Sequence, residues 1–266
     1  MVAPFLCYIK KAGMCKLKES HHTMKHVNIL GVPFSITNHS TLVEQLNQHI
    51  QKHEKSFVIT ANPEIVMRAN QEEAYMKSLH RATYITADGI GIVKASRLLG
   101  QTLPERVTGY DVMIEMLKLA DLNHYRIYLL GAQRDTLEEV KKHIQQFYPH
   151  IQVVGSHDGY FDWQHNTISE EIMQSSPDLV FVALGAPKQE NWIAEHIDQF
   201  NKGVFLCVGG SFDVIAGKVK RAPLSWQNKN LEWFYRLLQQ PTRWKRMLAL
   251  PRFSYHVIRQ KVKRSL

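Results

Sequence analysis

The sequence predicts an α/β fold in which helices flank a mostly parallel β-sheet. Three observations lead to this prediction. The middle of the chain alternates short apolar runs with segments of helical periodicity, which is typical of βα units. Three of these runs end in small-residue turns, at Gly131, Gly185 and Gly209. After Ala222-Pro223 the pattern is helical only, so we expect a Rossmann-like sheet followed by a C-terminal helical appendage.

Six apolar runs have the length and composition of strands. They are Phe57–Thr60, Thr83–Thr86, Arg126–Leu130, Ile151–Val154, Leu179–Leu184 and Val204–Val208. Seven segments between them have helical periodicity. They are Thr41–Lys52, Pro63–Leu79, Ile90–Leu99, Asp111–Leu122, Thr136–Tyr148, Ile168–Ser175 and Lys188–Phe200. Since binding sites of open α/β sheets form at the carboxyl ends of the strands, we expect the functional residues there.

The chain divides into three predicted regions. Residues 1–23 lack clear periodicity and are expected to be a disordered extension, residues 24–217 form the α/β domain (the body), and residues 218–266 form the appendage. No run of eighteen uncharged apolar residues occurs, so neither a transmembrane helix nor a signal peptide is predicted. Three cysteines, Cys7, Cys15 and Cys207, match no zinc or disulfide framework and favour a reducing compartment.

The appendage holds the positive charge of the protein. It contains thirteen Lys or Arg and a single acid, Glu232, while the rest of the chain carries a net charge of −3. Aromatic residues are interleaved with these cations, which suits an anionic membrane or a nucleic acid. The apolar stripe and the lack of a nucleic-acid-binding motif favour the membrane. So basic a surface would repel its own copy, although a homo-oligomer in solution remains open.

Asp88 is the first candidate for chemistry. It follows a predicted strand and precedes two glycines, Gly89 and Gly91, that let a substrate approach the backbone. Its carboxylate can accept a proton from a hydroxyl nucleophile. Alternatively, it caps the helix that begins near Ile90, because Asp is favoured at that position.

Two further segments carry polar side chains near the same predicted edge. Thr60 and Asn62 end a strand and can hydrogen-bond a sugar or phosphate, or simply cap the helix that begins at Pro63. Arg106 lies in a loop before another helix and suits a diphosphate. The alternative for Arg106 is a surface ion pair with Glu105 or Asp111.

The small-residue turns supply candidate phosphate contacts. Backbone N–H groups at helix starts bind anions, so we include the following residues as candidate substrate contacts: Gly131, Gly185, Gly209, Gly210 and Asp213. The chain contains neither a P-loop nor a complete G-x-G-x-x-G, and it has no Asp-x-Asp. A sugar-nucleotide enzyme of this sequence would lack the acidic metal clamp, so arginines would have to neutralise the leaving diphosphate.

Six motifs, in their order and spacing, resemble the WecG/TagA/CpsF glycosyltransferase family. They are Thr60-Ala-Asn-Pro-Glu, Ala87-Asp-Gly-Ile-Gly, Glu105-Arg-Val-Thr-Gly-Tyr-Asp, Leu184-Gly-Ala-Pro-Lys-Gln-Glu, Gly209-Gly-Ser-Phe-Asp and Lys220-Arg-Ala-Pro. The likeness runs from about Met24 into the appendage. It implies an inverting transferase without metal or cofactor, peripherally bound at the cytoplasmic face of the cell membrane.

The resemblance also implies the substrates and the reaction. The expected donor is UDP-N-acetylmannosamine and the expected acceptor is GlcNAc-diphospho-undecaprenol. The product would be the β1,4-linked disaccharide lipid of the wall teichoic acid linkage unit.

Particular residues acquire roles through the same resemblance. Asp88 becomes the expected base, and Thr60, Asn62, Arg106 and Gln189 are expected to line the pocket. Three arginines of the appendage are expected to reach over it: Arg236, Arg243 and Arg246. Their spacing puts them on one helical face if Pro241 only kinks the helix. The remaining cations near the C-terminus are expected to hold the membrane: Arg252, Arg259, Lys261, Lys263 and Arg264.

Two alternatives remain open from the sequence. The same fold can use UDP-N-acetylmannosaminuronic acid or another UDP-sugar for common-antigen or capsule synthesis, in which case Lys188 is available for a carboxylated donor. In the other, less favoured, the basic appendage binds nucleic acid.

Overall fold

A computed structural model describes residues 25–241 and 244–265 of the protein. The chain begins with an antiparallel hairpin, β1 (His26–Ile29) and β2 (Val32–Ser35). Six later strands form one parallel sheet: β3 (Lys55–Ala61), β4 (Tyr84–Ala87), β5 (Arg126–Gly131), β6 (Gln152–His157), β7 (Leu179–Ala183) and β8 (Gly203–Cys207). Their order across the sheet is β4-β3-β8-β7-β5-β6, which confirms the predicted α/β fold.

Helices connect and cover the strands. In the body they are α1 (His39–Gln51), α2 (Pro63–Ala69), α3 (Glu73–His80), α4 (Ile90–Leu98), α5 (Gly109–Leu122), α6 (Arg134–Phe147), α7 (Ile168–Ser175), α8 (Lys188–His196) and α9 (Ser211–Ile215). A short 3-10 helix, Ile197–Gln199, follows α8. The described part of the appendage contains α10 (Leu224–Asn228), α11 (Glu232–Gln239), α12 (Trp244–Met247) and α13 (Ala249–Ser265).

Apolar layers cover both faces of the sheet, and side chains alternate between the two faces along each strand; the edge strand β6 is only partly buried. Phe57 and Ile59 of β3 face one apolar layer, which includes α2, α3, α4 and α8. Val58 between them faces the other layer, formed by α1, α5, α6 and α9. The carboxyl ends of the strands are therefore left at one open edge, where loops from both layers meet.

All six predicted strands are present, but the helix predicted over Pro63–Leu79 is wrong. The structure has two helices there, α2 and α3. Helix α2 ends at Ala69. The Nδ2 of the next residue, Asn70, donates hydrogen bonds to Leu30 O (2.8 Å) and to Val66 O (2.9 Å). Neither Gly nor Pro marks the break between α2 and α3 in the sequence. The hairpin formed by β1 and β2 was also not predicted from the sequence.

The last helix packs on the body. Phe253 and Val257 of α13 are buried in the same apolar cluster as α2 and α4. Farther along, Gln260 Oε1 accepts a hydrogen bond from Leu30 N (3.0 Å), and its Nε2 donates to Asn28 O (3.2 Å). The end of the appendage is thereby attached to the hairpin.

Some predictions concern residues outside the described ones: the extension 1–23, Cys7, Cys15 and Arg243. The division at Lys218 stays a prediction. Cys207 is a buried free thiol. Among the described residues, none of the helices combines the length and the apolar character needed to span a bilayer.

Candidate active site

Asp88 lies at the carboxyl end of β4. Its N–H donates to Ala61 O at 2.9 Å, which fixes it beside the end of β3. The N-cap of α4 is Gly89, with φ +131°, and no side chain caps this helix. The interpretation of Asp88 as a helix cap is therefore wrong, and its carboxylate is left for another role.

The surroundings of Asp88 suit a proton acceptor. Burial raises the pKa of Asp88 to about 6, while the positive charges of Arg236 and then Arg106 act in the opposite direction. The nearby carboxylates of Glu232 and Asp111 add to the rise. A carboxyl group with a pKa close to neutral can take a proton in the transition state at cellular pH.

Thr60 and Asn62 lie on the neighbouring strand end. In the register of β3 and β4, Thr60 pairs with Thr86 and Ala61 with Ala87, so Asn62 follows β3 where Asp88 follows β4. Asn62 Oδ1 accepts from Ile65 N (3.0 Å) and caps α2. This leaves the amide nitrogen for a ligand, so a role for Asn62 in substrate binding stays a prediction.

Gln189 joins two of the predicted turns. Its Oε1 accepts from Gly209 N (3.1 Å), and its Nε2 donates to Glu190 Oε1 (2.8 Å). Gln189 and Glu190 are both buried. Gln189 therefore connects the turn after β7 with the turn after β8.

The glycines of these turns serve different purposes. Gly185 has φ +75°, and an added Cβ would meet nothing within 4 Å, so its backbone is open to a ligand. At Gly131 a Cβ would lie 2.5 Å from the carbonyl carbon of Ala183. Close packing of β5 on β7 thus already explains Gly131, and its contact with a substrate stays a prediction.

A cleft of about 60 Å³ separates the turn after β8 from α11. Its lining includes Gly210 and Asp213 from the body and Arg236 from the appendage. The structure therefore brings these three candidate residues together.

Arg106 pairs with the appendage. Its Nη1 lies 3.1 Å from Glu232 Oε2, and both side chains are largely buried. The ion pair with Glu105 or Asp111 that the sequence suggested as an alternative is wrong: Glu105 accepts from His39 N instead.

Asp111 pairs with Arg221 (Nη2 to Oδ1, 2.7 Å), and the Arg221 guanidinium lies over the Tyr110 ring at 4.5 Å from its centroid. Glu232 Oε1 lies 3.9 Å from Arg221 Nε and 3.8 Å from Arg236 Nη2. Arg106, Arg221, Arg236 and Glu232 thus form a cluster, which we call the arginine cluster.

The appendage arginines do not share one helical face. Helix α11 ends at Gln239 and α12 begins at Trp244, so the helix is interrupted near Pro241. Arg236 lies in the arginine cluster, whereas Arg246 Nε lies 3.6 Å from Glu64 Oε1 in the first turn of α2. Arg246 therefore faces the α2 side of the site, and Arg243 lies outside the described residues.

Sequence reasoning gave no role to Arg221, Glu232 or Glu190. Arg221 lay within the Lys220-Arg-Ala-Pro motif, and Glu232 was counted as the one acid of the appendage, so both left a signal. Glu190 also ended a motif, Leu184-Gly-Ala-Pro-Lys-Gln-Glu, but the motif did not show its burial, which depends on packing of α8 against α3. Within the described ranges, no group of three or more His, Cys, Asp or Glu could hold a metal ion.

Comparisons with known proteins show the family of this chain. Residues 27–266 match the family described as glycosyl transferase WecG/TagA/CpsF. The chain is 41% identical over 249 residues to proteins from Staphylococcus aureus strains MW2 and NCTC 8325 / PS 47. The match covers 93% of this chain and 97% of each relative, and both relatives are named N-acetylglucosaminyldiphosphoundecaprenol N-acetyl-beta-D-mannosaminyltransferase.

Proposed function

Because this chain belongs to the WecG/TagA/CpsF glycosyltransferase family, we propose that it transfers N-acetylmannosamine from UDP-N-acetylmannosamine to GlcNAc-diphospho-undecaprenol. The acceptor oxygen is the 4-hydroxyl of GlcNAc. The product is the β1,4-linked disaccharide lipid that begins the linkage unit of wall teichoic acid. Relatives at 41% identity carry the name of this activity.

The main structural support for this reaction is the carboxylate of Asp88. It lies at the carboxyl edge of the sheet, is released from helix capping, and has a pKa raised to about 6 by burial. In the proposed reaction Asp88 accepts the proton of the acceptor hydroxyl while that oxygen forms a bond to the anomeric carbon. The bond from this carbon to the UDP oxygen breaks on the opposite face, so the configuration inverts and UDP leaves.

The arginine cluster supplies charge for the leaving group. The positive charges of Arg236 and then Arg106 lower the pKa of Asp88, and the loop of Arg106 is bonded to the end of β4 through Val107 N and Ala87 O. Arginine binds phosphate oxygens with directed, paired hydrogen bonds. In this proposal they stabilise the negative charge that develops on the diphosphate as the bond breaks.

We place the appendage at the cytoplasmic surface of the membrane. The face of α13 opposite Phe253 and Val257 exposes Tyr255, Ile258 and Val262, which are spaced as on one side of a helix. Cations are exposed around them: Arg252, Arg259, Lys261 and Lys263. The side chain of Arg264 is outside the described residues. An apolar stripe flanked by cations suits an anionic leaflet that also holds the lipid acceptor.

Product analysis tests the proposed reaction. The full-length protein is incubated with a lipid-diphosphate-GlcNAc analogue and UDP-N-acetylmannosamine, and competing reactions contain UDP-GlcNAc or UDP-N-acetylmannosaminuronic acid. We expect a β1,4 disaccharide product from the first donor. A preference for another donor would reject N-acetylmannosamine as the transferred sugar, while the chain would still be a glycosyltransferase.

Asp88→Asn tests the role of the base. A positioned general base contributes about 10²- to 10⁴-fold, and we expect a loss of that size in kcat in a folded variant. The matched control is Asp198→Asn, which removes a carboxylate exposed at the surface after α8. Turnover by Asp88→Asn at the rate of the control would contradict the assignment.

A further inference from the structure

Glu232 is an unusual residue for its position. It is the one acid of the strongly basic appendage, yet only 9% of its surface is exposed, and it is the one buried residue of α11, a helix that the structure describes throughout. Its carboxylate points into the arginine cluster rather than into solvent. A carboxylate that converges with three guanidinium groups occupies a site built for an anion.

The carboxylate fits this site poorly. Only the bond to Arg106, at 3.1 Å, has hydrogen-bond length, because the contacts to Arg221 and Arg236 are 3.9 and 3.8 Å. The Nε of Arg221 is buried and has no hydrogen-bond partner within the part of the chain that the structure describes. A buried donor of a charged group without a partner is unfavourable, so a larger anion with more oxygens would complete the site better than Glu232 does.

Arg221 is held ready for such an anion. Its guanidinium stacks on Tyr110 and pairs with Asp111 through Nη2, while Nε remains turned toward Glu232. These contacts fix the position of the group before a ligand arrives, which reduces the entropy lost on binding. The site also adjoins the reacting centre, because Val107, next to Arg106, donates its N–H to the carbonyl of Ala87 (2.9 Å), the residue before Asp88.

Charge decides whether Glu232 and a diphosphate can share the site. With Glu232 and Asp111 in place, the three arginines leave a surplus of one positive charge. A diphosphate would meet the carboxylate of Glu232 at close range and be repelled by it. Because Glu232 is the first residue of α11, a change in its side-chain torsions or in the first turn can move it away.

We infer that Arg221 is a further ligand of the donor diphosphate and that Glu232 occupies this phosphate site until the donor displaces it. The inference rests on the proposed function only in taking a nucleoside diphosphate sugar as donor. Glu232 then competes with the diphosphate, and the measured affinity for the donor is lower than the arginines alone would give.

Equilibrium binding of UDP to the full-length protein tests the inference, with UMP as the comparison that lacks the second phosphate. We expect Glu232→Gln to bind UDP more tightly, by on the order of tenfold, and UMP with a smaller gain. Arg221→Lys should weaken UDP binding, and in the double variant the gain from Glu232→Gln should be reduced, since the two residues act on one site. Glu139→Gln, at an exposed ion pair on α6, is the matched control.

Unchanged or weaker UDP binding by Glu232→Gln would overturn the inference. Glu232 would then be a residue that orients Arg106 and not a competitor of the diphosphate. If that variant does not fold, Glu232→Asp withdraws the carboxylate by one methylene and carries the same expected sign. Wild-type UDP affinity in Arg221→Lys would show that Arg221 is not a ligand of the diphosphate. UDP binding needs neither acceptor nor sugar, so a wrong donor sugar or acceptor would show only in the transfer assay.

Discussion

Helices α11 and α13 of the appendage contact the body through different kinds of interaction. Helix α11 contacts it through charge, since its buried residue is Glu232, and it leaves the apolar side chains of Trp233, Phe234 and Leu238 exposed. Helix α13 contacts the body through apolar burial of Phe253 and Val257. Four basic residues of α13 are exposed: Arg252, Arg259, Lys261 and Lys263.

This difference assigns the helices different tasks. Apolar burial depends far less on NaCl and on ligand charge than an ion pair does, so a charged substrate does not compete with the contacts that hold α13 on the core. The Arg106–Glu232 pair of α11 is largely buried, and the cost of desolvating its charges offsets much of their attraction, so the pair adds little net stability. If the donor displaces Glu232 as inferred above, its phosphates take over these arginines and α11 is free to move with the carboxylate.

The largest expected effect comes from removing the apolar attachment of α13. Phe253 is 3% exposed, and replacing a buried Phe by Ala costs about 3–5 kcal/mol. We expect Phe253→Ala to lose that much free energy of unfolding, measured by urea denaturation. Tyr255→Ala on the same helix, 63% exposed, should change it by less than about 0.5 kcal/mol. Equal losses in both variants would show that α13 is not anchored as described.

The next effect concerns the charge that α11 brings to Asp88. Burial holds the pKa of Asp88 at about 6, and a base must be deprotonated, so kcat/KM should fall about tenfold per pH unit below that value. Arg236 is the largest charge that lowers this pKa. In Arg236→Gln the pKa should rise and the acid limb of the pH–rate profile should move to higher pH.

The control for this shift lies on the other helix. Arg259→Gln removes an exposed cation from α13 and should leave the position of the acid limb unchanged. A shift in the control of the same size would mean that distant charge, and not α11, sets the pKa of Asp88.

A smaller effect is expected at the membrane. Ile258 is exposed on the outer face of α13, and an apolar side chain inserted at the interface contributes about 1–2 kcal/mol. Ile258→Ser should therefore weaken co-sedimentation with anionic vesicles several-fold. Leu122→Ser, at an exposed leucine that ends α5, should not. Equal binding of both variants would remove α13 from the membrane contact.

The smallest effect tests how α11 is held. Raising NaCl from about 0.1 M to 1 M shortens the screening length from about 10 to 3 Å and should weaken its ion pairs by less than about 1 kcal/mol. We expect faster amide hydrogen exchange in α11 at high salt and unchanged exchange in α13. Faster exchange at high salt in α13 but not in α11 would contradict the assignment of ion pairs to α11 and of apolar contacts to α13.

The sequence was sufficient for the sheet but not for the contacts of the appendage. Strands such as Leu179–Ala183 are buried on both faces and read directly as apolar runs. The hairpin strands β1 and β2 have four residues each, too few for a clear period. The break between α2 and α3 depends on Asn70 reaching Leu30, a contact that no local pattern shows.

The same limit applies to the site. Motifs located Asp88 at a strand end, but its freedom from capping depends on the φ of Gly89. The pairing of Arg106 with Glu232 joins residues 126 positions apart. Such a contact is decided by how the appendage folds back on the body, and this is a property of the whole chain.

The attachment of Gln260 to Asn28 and Leu30 bears on how the protein is made. These bonds join residues 230 and 232 positions apart, and contacts of such sequence separation close late in folding. The ribosome releases the amino-terminal hairpin long before α13 exists, since synthesis proceeds at about 5–20 residues per second. The hairpin must therefore wait roughly 10 to 50 seconds for its last partner. During that time the sheet can assemble while the surface that receives α13 is still uncovered.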